Sequence, residues 1–509
     1  MLRKNVLIAA GVALALLGTS VRSENLLEVY QAAVRSDPQI REAEARRMAA
    51  LEAKPQARGV LFPQLSVNGN AYTANADTEG FQRQFREVTN PATGEPSAVP
   101  VSVPYTNTTD TDSFWNYDAQ VTQTLFRWDQ WQRLKQADSQ VALAEAEYRA
   151  AQQDLMVRVS QRYFDVLAAD DTLTAAQATL EAVGRQLEQA EQRFEVGLIA
   201  ITDVQEARAA HDSATAGVIA AKRSLASAEE FLREITGEAS AQLVKPLDAM
   251  PLDQPQPFDE QHWVDTALEQ NLGVVAARLG VDIAKKNVKI AQSGHLPTLD
   301  LYARYGESSS DATSFTTVPA EFQDPDLPPQ TFPADLDRTD DEVGIRLTIP
   351  IYSGGVTQSQ VRQQTYLHRA ERERLEGAVR GAERQTRDAY LGVIAERARV
   401  QALKQAVQSN QTALEATEAG FEVGTRTTVD VLDARRRLFE AQRDYSRSRY
   451  DYLINVVRLK SASGVLLPAD LTAINGFLTT PAPLPALRPQ SPPATPAQPA
   501  PAPTTPPAG

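Results

Sequence analysis

"RFEVGLIAITDVQEAR" spans Arg193–Arg208, and "GFEVGTRTTVDVLDARR" spans Gly420–Arg436. The two segments spell Phe-Glu-Val-Gly, a polar stretch, Asp-Val and Ala-Arg in the same order, 227 positions apart. Glycine at Gly197 and Gly424 supplies the permissive backbone that a sharp turn needs. An acid, Asp203 or Asp430, follows in the first turn of the next helix, where it complements the helix dipole.

Outward from the turns, the flanks carry sustained heptads. Val166, Leu173, Leu180, Leu187 and Phe194 recur every seven residues, with Ala169, Ala176, Val183 and Ala190 three places behind. Beyond the turn come Val204, His211, Val218, Leu225 and Leu232. The second copy repeats the pattern with Val393, Val400, Val407, Leu414 and Phe421, then Val431, Leu438, Tyr445, Tyr452 and Leu459. Seams of this kind predict antiparallel coiled-coil hairpins. The helical stretch 127–194 would run about 100 Å. The shorter stretches 26–60 and 200–236, stacked end to end, could pair with it along its whole course.

Four alternating segments interrupt the helices. Residues 65–73 place Leu65, Val67, Gly69 and Ala71 on one side. Residues 114–126 do the same with Trp115, Tyr117, Ala119, Val121 and Leu125. In the second half, Leu299, Leu301, Ala303 and Tyr305 form one apolar face, and Val343, Ile345, Leu347, Ile349 and Ile351 form another. One apolar and one polar face suits lipid outside and water inside, or a half-buried sheet in a soluble domain. Polar loops are expected at roughly 75–112 and 307–341. Four strands cannot close a membrane barrel, and open edges are not tolerated in lipid. Two chains would supply eight strands and three would supply twelve, and strand number does not choose between them.

The expected domains are a secretory signal over 1–23, a first repeat over 24–237, a connector over 238–259 and a second repeat over 260–464. A short segment over 465–479 and a Pro-rich, disordered tail over 480–509 complete the chain. Removing Arg3, Lys4 and Arg22 with the signal takes the formal charge from −14 to −17. Such an acidic chain argues against nucleic acid as a partner. The absence of cysteine excludes disulfides, thiolate metal sites and an N-terminal lipidated cysteine. His211, His262, His295 and His368 show no ligand spacing, and no phosphate loop, nucleophile elbow or paired-carboxylate signature appears. No cofactor, no metal and no enzymatic activity are expected.

"ENLLEVYQAAVRSDP", "GHLPTLDL", "IPIYSGG" and "YLINVVRLKSASG", together with the two turn segments, resemble the TolC family of outer-membrane exit ducts. The resemblance covers about Glu24 to Leu471. It implies an α+β membrane protein whose four strands per chain are pooled in a trimeric twelve-strand barrel, continued by a coiled-coil tunnel into the periplasm. The implied location is the outer membrane of a Gram-negative bacterium. The implied partners, besides outer-membrane lipid, are two further copies, a periplasmic adaptor and an inner-membrane transporter of RND, ABC or MFS type. Asp430 and Asp433, three apart and so on one face, would ring the periplasmic constriction. Thr202, Asp203 and Arg426 would belong to the links holding the hairpin tips shut. Gly197, Leu198, Gly424 and Thr425 would form the tips that meet the adaptor. At Phe421 the family pattern has a tyrosine hydroxyl aimed at the aspartate matching Asp203, so closure here would be weaker or lean more on Arg426. The alternative is a soluble periplasmic coiled-coil tether, which would need no detergent and form no conducting trimer.

Overall fold

The computed structural model describes residues 24–89, 91–239, 242–247, 250–319 and 331–478. The leader expected over 1–23 and the tail over 480–509 lie outside the described residues.

Four helices form two hairpins. Helix α4 (Trp128–Glu195, 68 residues) turns into α5 (Ile201–Thr236), and α8 (Val356–Glu422, 67 residues) turns into α9 (Thr428–Ala462). The heptad positions explain the pairing: Val166, Val183, Ala190, Val204, Ala207, Val218 and Leu232 are buried, as are Val393, Val400, Leu414, Val431, Leu438 and Leu459. The rest of α4 is flanked by α2 (Pro38–Leu51) and α3 (Ala53–Gly59), and the rest of α8 by α6 (Glu260–Gln270) and α7 (Leu272–Gln292).

The single helix expected over 26–60 is in fact three. Helix α1 (Leu26–Ser36) stops at Asp37, whose extended backbone is what a following proline imposes and whose carboxylate caps α2 by accepting from the Ile40 N–H at 3.1 Å. The second break, at Glu52, precedes Pro55, which cannot donate back to Leu51. Asn271, extended without a following proline, divides α6 from α7, its side-chain oxygen accepting from the Gly273 and Val274 N–H groups.

The core sits halfway along the hairpins. Tyr163, Phe164, Leu155 and Leu167 of α4 meet Leu26, Leu232 and Leu466, together with Leu471 of α10 (Pro468–Asn475). The connector wraps this core and is tied to it through its backbone carbonyls. The Tyr163 hydroxyl donates to Val244 O at 2.7 Å, and the Tyr452 hydroxyl to Asp253 O at 2.7 Å. Burial pushes the Tyr163 hydroxyl's pKa up, so it stays a donor at any physiological pH.

Gly464 ends α9 with φ +79°, and a Cβ there would lie 2.3 Å from Gln270 O. Gly424 has the same φ, yet a Cβ there would meet nothing within 4 Å. Gly424→Ala should therefore cost only the left-handed strain, about 1–2 kcal/mol. Gly464→Ala adds a backbone clash and should cost about 3–5 kcal/mol. Thermal denaturation of the two variants, with Gly464→Ala melting well below Gly424→Ala, checks this ranking.

The strands form one antiparallel sheet, ordered β1 (Gln64–Thr89), β2 (Pro96–Phe126), β3 (Thr298–Thr317), with β5 (Leu336–Thr348) and the three-residue β4 (Thr331–Pro333) both on β3. Directly opposed residues share a face. Leu65, Val121, Ala303 and Val343 stand in one row across all four long strands, and the next residues give the row Ser66, Gln120, Arg304 and Glu342 on the other face. Leu65 is 70% and Val343 78% exposed, so on the two edge strands no described residue covers the apolar face. The loops expected over 75–112 and 307–341 are instead largely strand where the chain is described, 320–330 lying outside the described residues. Beyond the apolar band Val99, Val101, Val103 and Tyr105 still alternate, but Pro96, Pro100 and Pro104 stand among them and the segment Thr106–Thr111 is polar, a composition that reads as loop although the backbone ladder continues through it. Beyond Thr106, β2 pairs with β1 alone.

Candidate functional site

Each hairpin tip is a helix stop of the same construction. In the first, Gly197 (φ 74°) donates to Phe194 O at 2.9 Å and Leu198 donates to Arg193 O at 2.9 Å. In the second, Gly424 (φ 79°) donates to Phe421 O at 3.0 Å and Thr425 donates to Gly420 O at 2.9 Å. Both are Schellman caps, which satisfy the last carbonyls of the long helix and require the left-handed residue that glycine supplies. The caps leave Leu198 73% and Val423 75% exposed at the ends of the molecule. Apolar side chains in that setting are available to a partner.

The helices that follow start differently. Helix α5 has no side-chain cap, with Asp203 in its first turn. Helix α9 starts with a capping box: Asp430 N–H donates to the Thr427 hydroxyl at 3.2 Å, and the Asp430 carboxylate accepts from the Thr427 N–H at 2.9 Å and its hydroxyl at 3.0 Å. Those two donors, the backbone N–H first, hold the Asp430 carboxyl below the usual carboxylate range. Asp433, one turn on, is held low by the Arg436 guanidinium at 2.8 Å, and Arg437 lies at 3.0 Å. Arg435 instead crosses its hairpin to Glu418. Each member of the Arg435–Arg437 run therefore has an acidic partner on the hairpin surface, with Asp433 shared by Arg436 and Arg437.

Thr202, Asp203 and Arg426 reach the tip, yet their side chains make no hydrogen bond or ion pair within the described chain. Arg426 lies along the end of α8 because Gly420 has no side chain: a Cβ there would stand 2.9 Å from Arg426 Cγ. Phe421 is partly buried against Leu414, Val431 and Leu438, and the Arg193 guanidinium lies over its ring. Thr427, Gly420, Arg436, Arg437 and Arg193 thus join the residues expected from sequence. The Thr-x-x-Asp box and the i,i+3 and i,i+4 spacing from Asp433 are sequence signals for three of them. Among the described residues no group of three or more His, Cys, Asp or Glu could hold a metal ion, and no helix is long and apolar enough to cross a membrane.

Strands with one apolar and one polar face, leading into helices about 100 Å long, define an outer-membrane exit duct. The chain belongs to the outer membrane efflux protein family, which it matches over residues 29–238 and 263–465. It is 36% identical over 481 residues to the outer membrane protein TolC of Escherichia coli K12, covering 94% of this chain and 90% of that protein. It is 29% identical over 472 residues to the alkaline protease secretion protein AprF of Pseudomonas aeruginosa, covering 91% and 89%. The solved CmeC outer membrane channel of Campylobacter jejuni shares the fold, with a TM-score of 0.66 at 16% identity over 89% of each chain.

Proposed function

We propose that three copies of this chain pool their strands into a twelve-stranded outer-membrane barrel and their hairpins into a periplasmic tunnel, a passive duct closed at the hairpin tips. The observation that carries the reading is the row Leu65–Val121–Ala303–Val343. It is apolar and exposed, and it is bounded by β1 and β5, which pair on one side only among the described residues. Such edges are not stable in lipid, so neighbouring copies must supply their partners.

At the tip, Asp430 and Asp433 from three chains form two acidic rings at the constriction. Thr202, Asp203 and Arg426, unpartnered within one chain, serve as links between hairpins and between copies. The exposed Leu198 beside Gly197, and Thr425 beside Gly424, meet a periplasmic adaptor. The adaptor couples the duct to an inner-membrane transporter of RND, ABC or MFS type, which supplies the energy and selects the substrate. One relative is named for efflux, BepC of Brucella suis, and another for protease secretion, AprF. Both kinds of cargo suit a polar lumen.

Reconstitution is the test. Purified protein added to a planar lipid bilayer should give discrete ion-conducting steps. A bilayer left intact at protein concentrations that saturate its surface would favour the soluble tether.

A further inference from the structure

The contact between the two hairpin tips is not one that either copy of the turn segment reveals. Arg193, in the last turn of α4, places its guanidinium carbon 4.9 Å from the ring centroid of Phe421, in the last turn of α8. That is inside the range in which an aromatic quadrupole attracts a cation. Both partners are held in place. The Arg193 carbonyl closes the first Schellman cap, and the ring of Phe421 packs on the small cluster of Leu414, Val431 and Leu438. Arg193 forms no ion pair with a carboxylate of the described chain, so no salt bridge competes for it.

We propose that Arg193 and Phe421 form a cation–aromatic latch that holds the second hairpin against the first within each chain. The proposal rests on the reading of the tips as a gate. It makes the tyrosine hydroxyl of the family pattern unnecessary here, because the face of the ring, not its edge substituent, carries the attraction. The latch is one-sided by construction. The second copy has Gly420 where the first has Arg193, and the counterpart of Phe421 is Phe194, which is 41% exposed. One hairpin supplies only the cation and the other only the ring. Gly420 has a separate use, making room for Arg426.

A surface contact of this kind biases an equilibrium about two- to five-fold, and three acting together about ten- to a hundred-fold. The experiment is single-channel recording on the full chain carrying Arg193→Gln, Phe421→Leu, both, or Phe421→Trp. Each single change should raise open occupancy at least about ten-fold, and the double variant should exceed neither by much, since both remove one contact. Phe421→Trp should lower occupancy to or below the parent value, because indole is the better ring. Additive single effects, or an Arg193→Gln channel indistinguishable from the parent, would overturn the latch. Arg426→Ser is recorded alongside. If it opens the channel while Arg193→Gln does not, the latch is wrong and the gate stands. If neither changes occupancy, the gate reading fails and the latch fails with it.

Discussion

Divalent cations applied from the periplasmic side will no longer block the channel once Asp430 and Asp433 are both replaced by asparagine. Asparagine is the right probe because Asp430 also works as a cap. An amide oxygen still accepts from the Thr427 N–H that now lies 2.9 Å from the carboxylate, so the change removes charge and leaves the start of α9 intact. A narrow mouth lined by one sign of charge concentrates counterions about ten- to a thousand-fold, and the blocking constant should weaken over that range. The two aspartates should contribute unequally. Asp433 is ion-paired to two guanidinium groups on its own helix, whereas Asp430 is hydrogen-bonded to neutral donors and feels Arg426 only through its field. Asp430→Asn alone should therefore remove more of the block than Asp433→Asn alone. Persistence of block in the double variant would show that the rings do not bind the ion.

On the proposed reading of Arg426 as a closed-state link at a current-limiting constriction, Arg426→Ser should raise single-channel conductance several-fold. Its guanidinium makes no hydrogen bond or ion pair among the described residues, though its charge acts on Asp430, which leaves the side chain open to a link with another hairpin or another copy. A second variant reaches the same link without touching the arginine. Gly420→Ala improves the helix at the end of α8 but places a methyl 2.9 Å from Arg426 Cγ, so the side chain must leave its seat. Its conductance should move in the same direction as that of Arg426→Ser. Unchanged conductance in both would remove Arg426 from the closed-state links.

The long helices were legible in the sequence because burial repeats with their period. Val393, Val400 and Leu414 are spaced by sevens and lie in the seam. The membrane row was legible for the same reason at period two. What lay beyond the row was not: Val99, Val101, Val103 and Tyr105 do alternate, but Pro100 and Pro104 fall among them and the flanking residues are polar, so 75–89 and 96–112 read as loop. The breaks in the first helix stand in plain view as Pro38 and Pro55, and they override an otherwise continuous helical composition. At the tips, Gly197 and Gly424 announced the turns, and Thr427 with Asp430 spelled a capping box. The contact of Arg193 with Phe421 could not be read. It joins different hairpins at positions the two copies do not share, and only the packing of α4 against α9 brings the two tips together.

The central claim is that the sheet of one chain is unfinished. Its most direct test is the mass of the protein extracted in a mild, non-denaturing detergent, measured by light scattering with the detergent contribution subtracted. A particle of three chains is the expected result; a stable single chain that keeps its strands would contradict the account.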